Sequence, residues 1–473
     1  EFGRRRQRAV VVAAGCYAQA QKGEEIDEAI DIVLGNNRKQ DLIAVLEEYQ
    51  SGNGQKEERI DLEKPVEYEE LELASTGEHT RAYLKVQDGC NQFCSYCIIP
   101  YVRGRVRSRK REEVIKEVER LVALGYQEFV LTGIHLSSYG IDCEDSLLNL
   151  IVAVQNVEGV KRIRLGSLEP RIITEEFVKT LSSLPAICPH FHLSLQSGCT
   201  ETLKRMNRKY TAGEYLEGCR LLRKYFDHPA LTTDVIVGFP GETEEEFKAS
   251  KEMVSEAKFY ETHIFKYSRR KGTRADKMEN QIPEQVKASR SHEMIELGKA
   301  HQKEYMEYYL GKQVEILFEE TTEINGQTYW VGHTREYIKV AVLSEKNLEN
   351  QLVTGEITEF SGLKICYGPL YIPDYFGMQY TTPDLIRLEW NPGYKNQGFD
   401  DDLLQIAIYD KTRVDDGEIY WLEGFETIRA TGAYTFTLPA ERGKEIHLFA
   451  FFKNKYRNIF SESRFLGTVV KET

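Results

Sequence analysis

The periods of apolar and polar positions divide the chain into segments with different expected structures. Residues 9–14 (AVVVAA) form an apolar run rich in β-branched side chains, which predicts a buried parallel strand that ends in a loop. Residues 51–80 are polar and irregular, which is typical of a linker. We therefore expect a first, small domain over residues 1–62 that contains this strand.

In the next part of the chain, apolar runs of strand length alternate with segments of helical period. The candidate strands are 81–86, 128–133, 162–168, 191–195, 232–239 and 260–267. Successive β–α units predict an α/β domain with a parallel sheet, open or curled toward a barrel, over residues 76–310. In such folds the ligand sites lie at the C-terminal ends of the strands.

After the last of these units, the apolar period changes to two. Val314, Ile316 and Phe318 alternate with polar residues, which predicts a small β domain over residues 311–370. Short alternating segments at regular spacing continue to the end of the chain and predict a β-sandwich over residues 371–473.

The composition narrows the class of protein. Of 473 residues, 41% are hydrophobic and 29% are charged, which is typical of a soluble globular protein and not of a disordered one. No apolar run approaches the roughly 20 residues that cross a bilayer. Nine cysteines are too sparse for a disulfide scaffold. Because no export signal is visible, we expect a cytoplasmic protein with reduced thiols and no membrane contact.

Basic residues are grouped, although the net charge is −13. The three basic runs are Arg103, Arg105, Arg107, Arg109, Lys110 and Arg111; Lys204, Arg205, Arg208 and Lys209; and Arg269, Arg270, Lys271 and Arg274. Any single run is ordinarily a solvated surface. Three runs that each follow a predicted strand would lie near one face, and a positive face fits a polyanion such as RNA. Lys339 of the small β domain is a further candidate for a phosphate contact.

The strongest chemical signal is Cys90-Asn-Gln-Phe-Cys94-Ser-Tyr-Cys97, which directly follows the first predicted barrel strand. Three thiolates on one tight loop can bind three irons of a [4Fe–4S] cluster and leave the fourth iron open to a ligand. A zinc loop or three unligated thiols are the alternatives. A zinc site would need a fourth ligand, and no second cysteine pair or histidine pair nearby in sequence supplies one.

The sequence around these cysteines resembles the radical S-adenosylmethionine (SAM) enzymes and, more narrowly, the methylthiotransferases. The matching segments are VQDGCNQFCSYCIIPYVRGRVRSR (86–109), LTGIHLSSYG (131–140), RLGSLEP (164–170), HLSLQSGC (192–199), LKRMNRKYT (203–211), DVIVGFPGETEEEF (234–247) and YSRRKGTRA (267–275). The resemblance runs from about residue 9 to residue 360. It implies a partial parallel (β/α)6 barrel, preceded by the remnant of an N-terminal α/β domain and followed by a TRAM-like RNA-binding β domain. The final module, which looks immunoglobulin-like, lies outside the family pattern.

The resemblance also implies an activity. Cys90, Cys94 and Cys97 would hold the cluster, SAM would be both radical source and methyl donor, and flavodoxin or ferredoxin would supply electrons. The match is closest to the branch that methylthiolates C2 of N6-threonylcarbamoyladenosine at position 37 of tRNA. Alternatives are isopentenyladenosine-37, a ribosomal-protein aspartate, or an RNA-binding protein that is catalytically incomplete. The sequence indicates no oligomeric state.

Five further residues are candidate cofactor contacts because they follow barrel strands. They are Glu169, Gln196 and Ser197, together with Gly238 and Gly241 of the segment GFPGET (238–243). The glycines would allow a ligand to approach the backbone closely at the start of a helix. A plain strand-to-helix turn explains a short glycine loop equally well.

Cys16 is a candidate ligand of a second cluster. The segment GCYAQ (15–19) matches the family motif around the last of three ligands in the N-terminal domain. The other two ligands would lie before Glu1. We therefore expect this chain to be N-terminally truncated and the second [4Fe–4S] cluster to assemble only in a longer form.

Overall fold

A computed structural model describes most of the barrel and parts of the flanking regions. The described residues are 9–20, 27, 29–52, 56–58, 67–70, 80–324, 327–358, 376–382, 385–390, 402–410, 418–422, 427–428, 431–438, 445–453 and 464–470. None of the helices in these ranges is both long enough and apolar enough to cross a bilayer.

The structure contains strands and helices in alternation, followed by strands alone. The strands are β1 (Val12–Ala14), β2 (Ile32–Leu34), β3 (Lys56–Glu58), β4 (Arg81–Asp88), β5 (Arg107–Ser108), β6 (Glu128–Gly133), β7 (Arg162–Leu165), β8 (His190–His192), β9 (Ala230–Val237), β10 (Glu261–Lys266), β11 (Gln313–Ile324), β12 (Gln327–Thr334), β13 (Lys339–Val342), β14 (Leu352–Glu356), β15 (Phe376–Thr382), β16 (Leu385–Trp390), β17 (Leu403–Asp410), β18 (Glu418–Trp421), β19 (Ala433–Thr437), β20 (Glu445–Lys453) and β21 (Arg464–Val470). The α-helices are α1 (Cys16–Ala20), α2 (Leu42–Gln50), α3 (Ile99–Val102), α4 (Arg111–Ala123), α5 (Leu147–Gln155), α6 (Glu175–Ser182), α7 (Thr200–Arg205), α8 (Ala212–Tyr225), α9 (Glu244–Ala257) and α10 (Glu284–Glu307).

These elements form two compact units. The first comprises Glu1–Glu320 and Trp330–Ile357, and the second comprises Thr321–Tyr329 and Thr358–Thr473. The cysteine motif and all the candidate site residues belong to the first unit.

The N-terminal part of the first unit is a small parallel sheet in the order β1-β2-β3. The predicted apolar strand is present as β1, but its residues are half-buried or exposed and not buried as expected. The buried strand is β2, whose Ile32 and Leu34 form a small core with Val45 of α2. β2 has a neighbouring strand on each edge and packs against α2, which explains why β2 and not β1 is the more buried.

The six predicted barrel strands are confirmed as a parallel, curved sheet. Strands β4, β6 and β7 are neighbours, as are β8, β9 and β10. Parallel bridges between Ile163 and Ile187 and between Leu168 and Leu193 join the two halves. Helices follow the strands, and their apolar faces share one large core with the sheet. The chain therefore has an α/β fold built on a partial parallel barrel.

Two barrel strands are shorter than predicted. β7 ends at Leu165 and β8 ends at His192, and beyond them only isolated bridges continue the pairing. The residues that follow include Ser167 and Ser194, which line a cavity at this end of the sheet. Their polar side chains interrupt the apolar pattern where the regular ladder ends.

A four-stranded antiparallel sheet in the order β13-β12-β11-β14 follows α10. Its contacts are with the beginnings of the barrel strands. Arg162, the first residue of β7, donates to the backbone oxygen of Glu315 at 2.7 Å, and Arg164 donates to that of Arg335 at 3.0 Å. This sheet therefore lies at the opposite end of the barrel strands from the cysteine motif.

The second unit contains two antiparallel sheets, in the orders β15-β16-β19 and β18-β17-β20-β21. Alternate residues of both sheets share one hydrophobic core, which includes Ile386 and Leu388 of β16 and Leu404 and Ile406 of β17. The period of two in the sequence is thus the period of burial in this unit.

Candidate active site

The cysteine loop begins where β4 ends, and its first turn depends on a glycine. Gly89 has a φ of +71°, and an added Cβ would lie 1.8 Å from the backbone oxygen of Arg105. The next residue, Cys90, donates its backbone N–H to the oxygen of Gly104 at 3.0 Å. The segment that carries the first basic run therefore lies directly against the start of the cysteine loop.

Buried polar groups brace this start of the loop. The side-chain amide of Gln87 donates to the backbone oxygens of Asp88 and Gly89 at 2.7 and 2.8 Å, and its oxygen accepts the N–H of His135 at 2.7 Å. Asp88 accepts from Gly89 at 2.8 Å and from Lys85 at 2.6 Å. Burial would raise the pKa of Asp88, but Lys85 and Arg103 outweigh it and lower the pKa, so this carboxylate is charged.

The second half of the loop is fixed by two distant segments. Ser95 donates its backbone N–H to Met206 at 2.9 Å and its hydroxyl to the oxygen of Arg205 at 2.9 Å. Its own backbone oxygen accepts the N–H of Ala275 at 2.7 Å. Asn207 donates to the oxygen of Phe93 at 2.8 Å. The second basic run therefore contacts the cysteine loop through the backbone oxygen of Arg205, and the third run ends at Arg274, directly before the residue that contacts Ser95.

A cavity of about 130 Å³ opens between this loop and the ends of the barrel strands. Its lining consists of Cys90, Gln92, Cys94, Tyr96, Cys97, Ile99, Ile134, His135, Ser167, Leu168, Glu169, Ser194, Gln196 and Arg208. All three predicted cluster ligands and two of the predicted cofactor contacts, Glu169 and Gln196, are thus brought together.

The polar groups of this cavity have defined partners. Arg208 donates to the Sγ of Cys94 at 3.3 Å and to the hydroxyl of Tyr210 at 3.0 Å. The buried carboxylate of Glu169 accepts from Arg171 at 3.1 Å and lies 3.7 Å from the Nε2 of His135. Burial lowers the pKa of His135, which favours its neutral ring. The cavity therefore offers a guanidinium, a carboxylate and a neutral imidazole around three thiols.

The spacing and environment of the thiols indicate which metal group they can bind. The three cysteine sulfurs do not all lie within 4.8 Å of one another. In the described part of the chain, only His192, Asp234 and His263 have three potential ligand atoms that close together. At least one pair of the three sulfurs is therefore more than 4.8 Å apart, which is wider than the roughly 3.7 Å between two thiolate ligands of one zinc ion when Zn–S is about 2.3 Å. Burial raises the pKa of Cys90 to about 11 and also raises that of Cys97, so thiolates here require a bound cation. These properties fit an iron–sulfur cluster, whose cysteines bind separate irons.

Three predicted cofactor contacts lie outside the cavity lining. The hydroxyl of Ser197 lies 3.2 Å from that of Ser250 and accepts the N–H of Cys199. Gly238 donates to the Glu242 carboxylate at 2.7 Å. Gly241 donates to the oxygen of Asn280 at 2.9 Å. At these positions the structure shows turns and the start of a helix. For the glycine loop, this is the plain strand-to-helix turn that the sequence analysis gave as the alternative to a cofactor contact.

Cys16 lies close to the segment that follows the cysteine loop. Its Sγ accepts from the Nε of Arg103 at 3.2 Å, and Arg103 also lies 3.3 Å from Asp88. Asn36 donates to the same sulfur at 3.6 Å and to the oxygen of Val102 at 2.6 Å. The N-terminal sheet thus places Cys16 against α3, near the cluster loop.

Two candidate RNA contacts of the first basic run do not lie at the protein surface. Arg107 and Arg109 are buried, with exposed fractions of 5% and 4%. Arg107 donates to backbone oxygens of its own segment, and Arg109 forms ion pairs with Glu70 and Glu117. An arginine sequence pattern cannot separate these residues from Arg105, which is exposed and lies 5.0 Å from the ring of Phe93.

The other basic candidates differ in their availability. Arg103 is engaged by Cys16 and Asp88, Arg205 pairs with Glu246, and Arg208 faces the cavity. The exposed candidates are Lys204, Arg269, Arg274 and Lys339, of which Lys204 pairs with Glu201 and Arg269 pairs with Asp276. Lys339 lies on β13, in the sheet that contacts the beginnings of the barrel strands. The structure therefore does not place it beside the cysteine loop.

The sequence interpretation missed His135 and the two cavity serines, Ser167 and Ser194. His135 follows β6, and each serine follows a shortened strand. Polar residues just after apolar strand runs are the available signal, because parallel strands end at one edge of the sheet. The same signal had identified Glu169 and Gln196.

Comparisons with known proteins agree with this geometry. The Radical SAM superfamily pattern matches residues 84–254, which contain the cysteine loop and most of the barrel. The threonylcarbamoyladenosine tRNA methylthiotransferase MtaB of Bacillus subtilis is 41% identical over 352 residues, which cover 74% of this chain and 78% of that protein. The protein of the same name from Aquifex aeolicus is 38% identical, with 69% and 80% covered. A tRNA-2-methylthio-N(6)-dimethylallyladenosine synthase from Clostridium novyi is 36% identical, with 69% and 73% covered.

Fold, cavity and superfamily match define a radical SAM enzyme. The identity to these relatives extends over most of both chains and defines the family more narrowly. The chain belongs to the methylthiotransferase family of radical SAM enzymes. Membership implies a [4Fe–4S] cluster and SAM as cofactors, which is the chemistry that the cavity residues fit. The predicted family and the predicted enzyme class are confirmed.

Proposed function

We propose that the protein inserts a methylthio group at C2 of N6-threonylcarbamoyladenosine at position 37 of tRNA. The observation that carries this proposal is the 41% identity to a relative named for that nucleoside, across 78% of the relative's length. The geometry supports it, because the cysteine loop, the cavity and the exposed members of the basic runs lie at one end of the barrel.

In the proposed function, the residues that line the cavity have different roles. Cys90, Cys94 and Cys97 would hold the [4Fe–4S] cluster, which when bound would supply the electron for the reductive cleavage of SAM. Arg208 positions the Sγ of Cys94 by its hydrogen bond. Glu169 and Gln196 are placed to accept from or donate to the polar groups of SAM.

The walls of the cavity and its entrance have separate roles in this proposal. Leu168, Ile134 and Ile99 line the cavity with apolar surface and exclude water from it. Arg105 and Arg274, both exposed beside the cysteine loop, contact tRNA phosphates. Positioning and exclusion of water are the protein's contributions to radical chemistry, since the cofactor carries the difficult step.

Several finer assignments belong to the same proposal. Cys16 is a ligand of a second [4Fe–4S] cluster, and its position beside Arg103 and α3 supports a site near the first. Residues 311–370 act as a TRAM-like RNA-binding domain, and residues 371–473 form an immunoglobulin-like sandwich that lies outside the family pattern. The enzyme works in the cytoplasm with an electron donor such as flavodoxin or ferredoxin.

A second candidate substrate is the dimethylallyl-modified adenosine at the same tRNA position. The relative from Clostridium novyi carries that name and is 36% identical over 333 residues. The two candidates share the reaction at C2 and differ in the group on N6, so product analysis separates them.

The test is mass spectrometry of tRNA nucleosides from cells with and without the gene. We expect the methylthio form of threonylcarbamoyladenosine to disappear with the gene and to return on complementation. Complementation with Cys94→Ala should fail, because one cluster ligand is missing. An unchanged level of this nucleoside would overturn the proposed substrate, and loss of the dimethylallyl-type product instead would favour the second candidate.

A further inference from the structure

A polar cluster on the barrel sheet is used neither by the cluster loop nor by the cavity. The Nε2 or Nδ1 of His192 and His263 and a carboxylate oxygen of Asp234 all lie within 4.8 Å of one another. Among the described residues this is the one group of three such side chains.

Strand register brings these residues together. β8, β9 and β10 are neighbouring parallel strands, in which His192 pairs with Thr232 and His263 pairs with Asp234. Side chains of paired residues project from the same face of adjacent strands, about 4.8 Å apart. The cluster is therefore built on three hydrogen-bonded strands and not on loops.

The face that carries the cluster is the inner face of the barrel. On the segment that begins with β8, Phe191, Leu193 and Leu195 are fully buried in the large hydrophobic core. His192 therefore faces the other way, together with Ser194 and Gln196, which both line the cavity. At about 3.3 Å per residue, His192 lies roughly 7 Å along the strand from Ser194.

Two polar contacts hold the ring of His192 in an orientation that suits a metal ligand. Its Nδ1 lies 3.0 Å from the hydroxyl of Thr232, and its Nε2 lies 3.3 Å from the Oδ2 of Asp234. Metal-binding histidines ordinarily use one ring nitrogen for a fixing hydrogen bond and the other for the metal. Two ligands of a tetrahedral zinc ion, each about 2.05 Å from the metal, lie about 3.3 Å apart.

We propose that His192, Asp234 and His263 form a binding site for one divalent transition metal ion, with Zn²⁺ the best fit. Two imidazoles and one carboxylate are a zinc donor set, and three protein ligands leave one position for water or a bound molecule. The site is separate from the three cysteines and does not depend on the proposed tRNA substrate.

The test is calorimetric titration of Zn²⁺ into the full chain with its iron–sulfur cluster reconstituted, so that the loop cysteines are occupied. We expect one zinc ion per chain in addition to the iron. Asp234→Asn and His263→Ala should each weaken zinc binding at least about 100-fold, since loss even of a supporting contact costs 10–100-fold. His301→Ala on α10 is the matched control and should bind zinc as the unaltered chain does.

Iron content and thermal unfolding of each variant show whether it is folded. Thr232→Val gives a finer test, because it removes only the hydrogen bond to Nδ1 and should weaken zinc binding about 10-fold or more. Absence of zinc binding at micromolar concentrations would overturn the proposal. Binding that persists in both Asp234→Asn and His263→Ala would assign the metal to other groups, such as the exposed Cys143 thiol, and would overturn it equally.

Discussion

The cysteine loop and the glycine loop over residues 238–242 both follow barrel strands and both turn on a glycine with positive φ. Gly89 has a φ of +71° and Gly238 a φ of +70°. At Gly89 a Cβ would collide with backbone, the Arg105 oxygen at 1.8 Å, whereas at Gly238 it would meet the Cγ of Lys287 at 2.3 Å.

The two glycines have different neighbours, and this difference explains why only the cysteine loop borders the cavity. The neighbour of Gly89 is the chain that continues from the cysteines, so the close approach shapes the ligand-bearing turn itself. At the second loop, Lys287 of α10 covers Gly238, and Arg290 of the same helix pairs with Glu242 at 2.8 Å. A glycine at the end of a strand therefore indicates close packing of the backbone. Which segment packs against it determines whether the loop contributes to a ligand site.

The largest effect is expected for Gly89→Ala. A residue with a Cβ is strained at this φ, and the collision is with backbone that cannot rotate away. We expect the variant to lose its cluster, measured as iron and sulfide after anaerobic reconstitution. Gly238→Ala, prepared in parallel, should retain both. Full iron content in Gly89→Ala would contradict the account of this turn.

Arg208→Gln should have the next largest effect. The substitution removes the charged donor to the Cys94 sulfur but no cysteine, so we expect near-normal iron and a 10–100-fold slower reductive cleavage of SAM. The rate is measured as 5′-deoxyadenosine formed per cluster. Arg208→Lys, which keeps the charge but not the planar geometry, should recover part of the rate. An unchanged rate in Arg208→Gln would show that this hydrogen bond has no role.

Gly238→Ala is expected to change stability and not ligand binding. Strain at positive φ and displacement of Lys287 should lower the free energy of unfolding by about 1–3 kcal/mol. The measurement is denaturant unfolding, alongside SAM affinity of the reconstituted protein. Weaker SAM binding at temperatures where the variant is fully folded would show that the glycine loop contacts a ligand, and it would contradict a purely structural role for Gly238.

The smallest effect concerns the exposed and buried arginines of the first basic run. Arg105→Ala should weaken tRNA binding a few-fold and lower the slope of log affinity against log salt by about one, as expected for one lost phosphate contact. Arg107→Ala should instead lower stability and leave that salt slope unchanged. The reverse pattern would show that burial in the free protein does not predict the RNA-facing residues.

The sequence predicted the fold where the physical signal is local. Six apolar runs separated by helical patterns were enough for the parallel sheet, and the three cysteines on one loop were enough for their shared site. It failed where a property depends on distant neighbours. Arg105 and Arg107 are alike in sequence, yet only Arg107 is buried, with its guanidinium 3.5 Å from the carboxylate of Asp88 at the end of β4.

Apolar periodicity and motif spacing indicated the six barrel strands and the family, because both are properties of residues close together in the chain. Three-dimensional packing was needed to show that Glu169, Gln196, His135 and Arg208 border one cavity and that Ser197 and Gly238 do not. It also decided that His192, Asp234 and His263 share one face. These placements depend on strand register and on which helix covers a loop, and both are set by contacts between residues far apart in the chain.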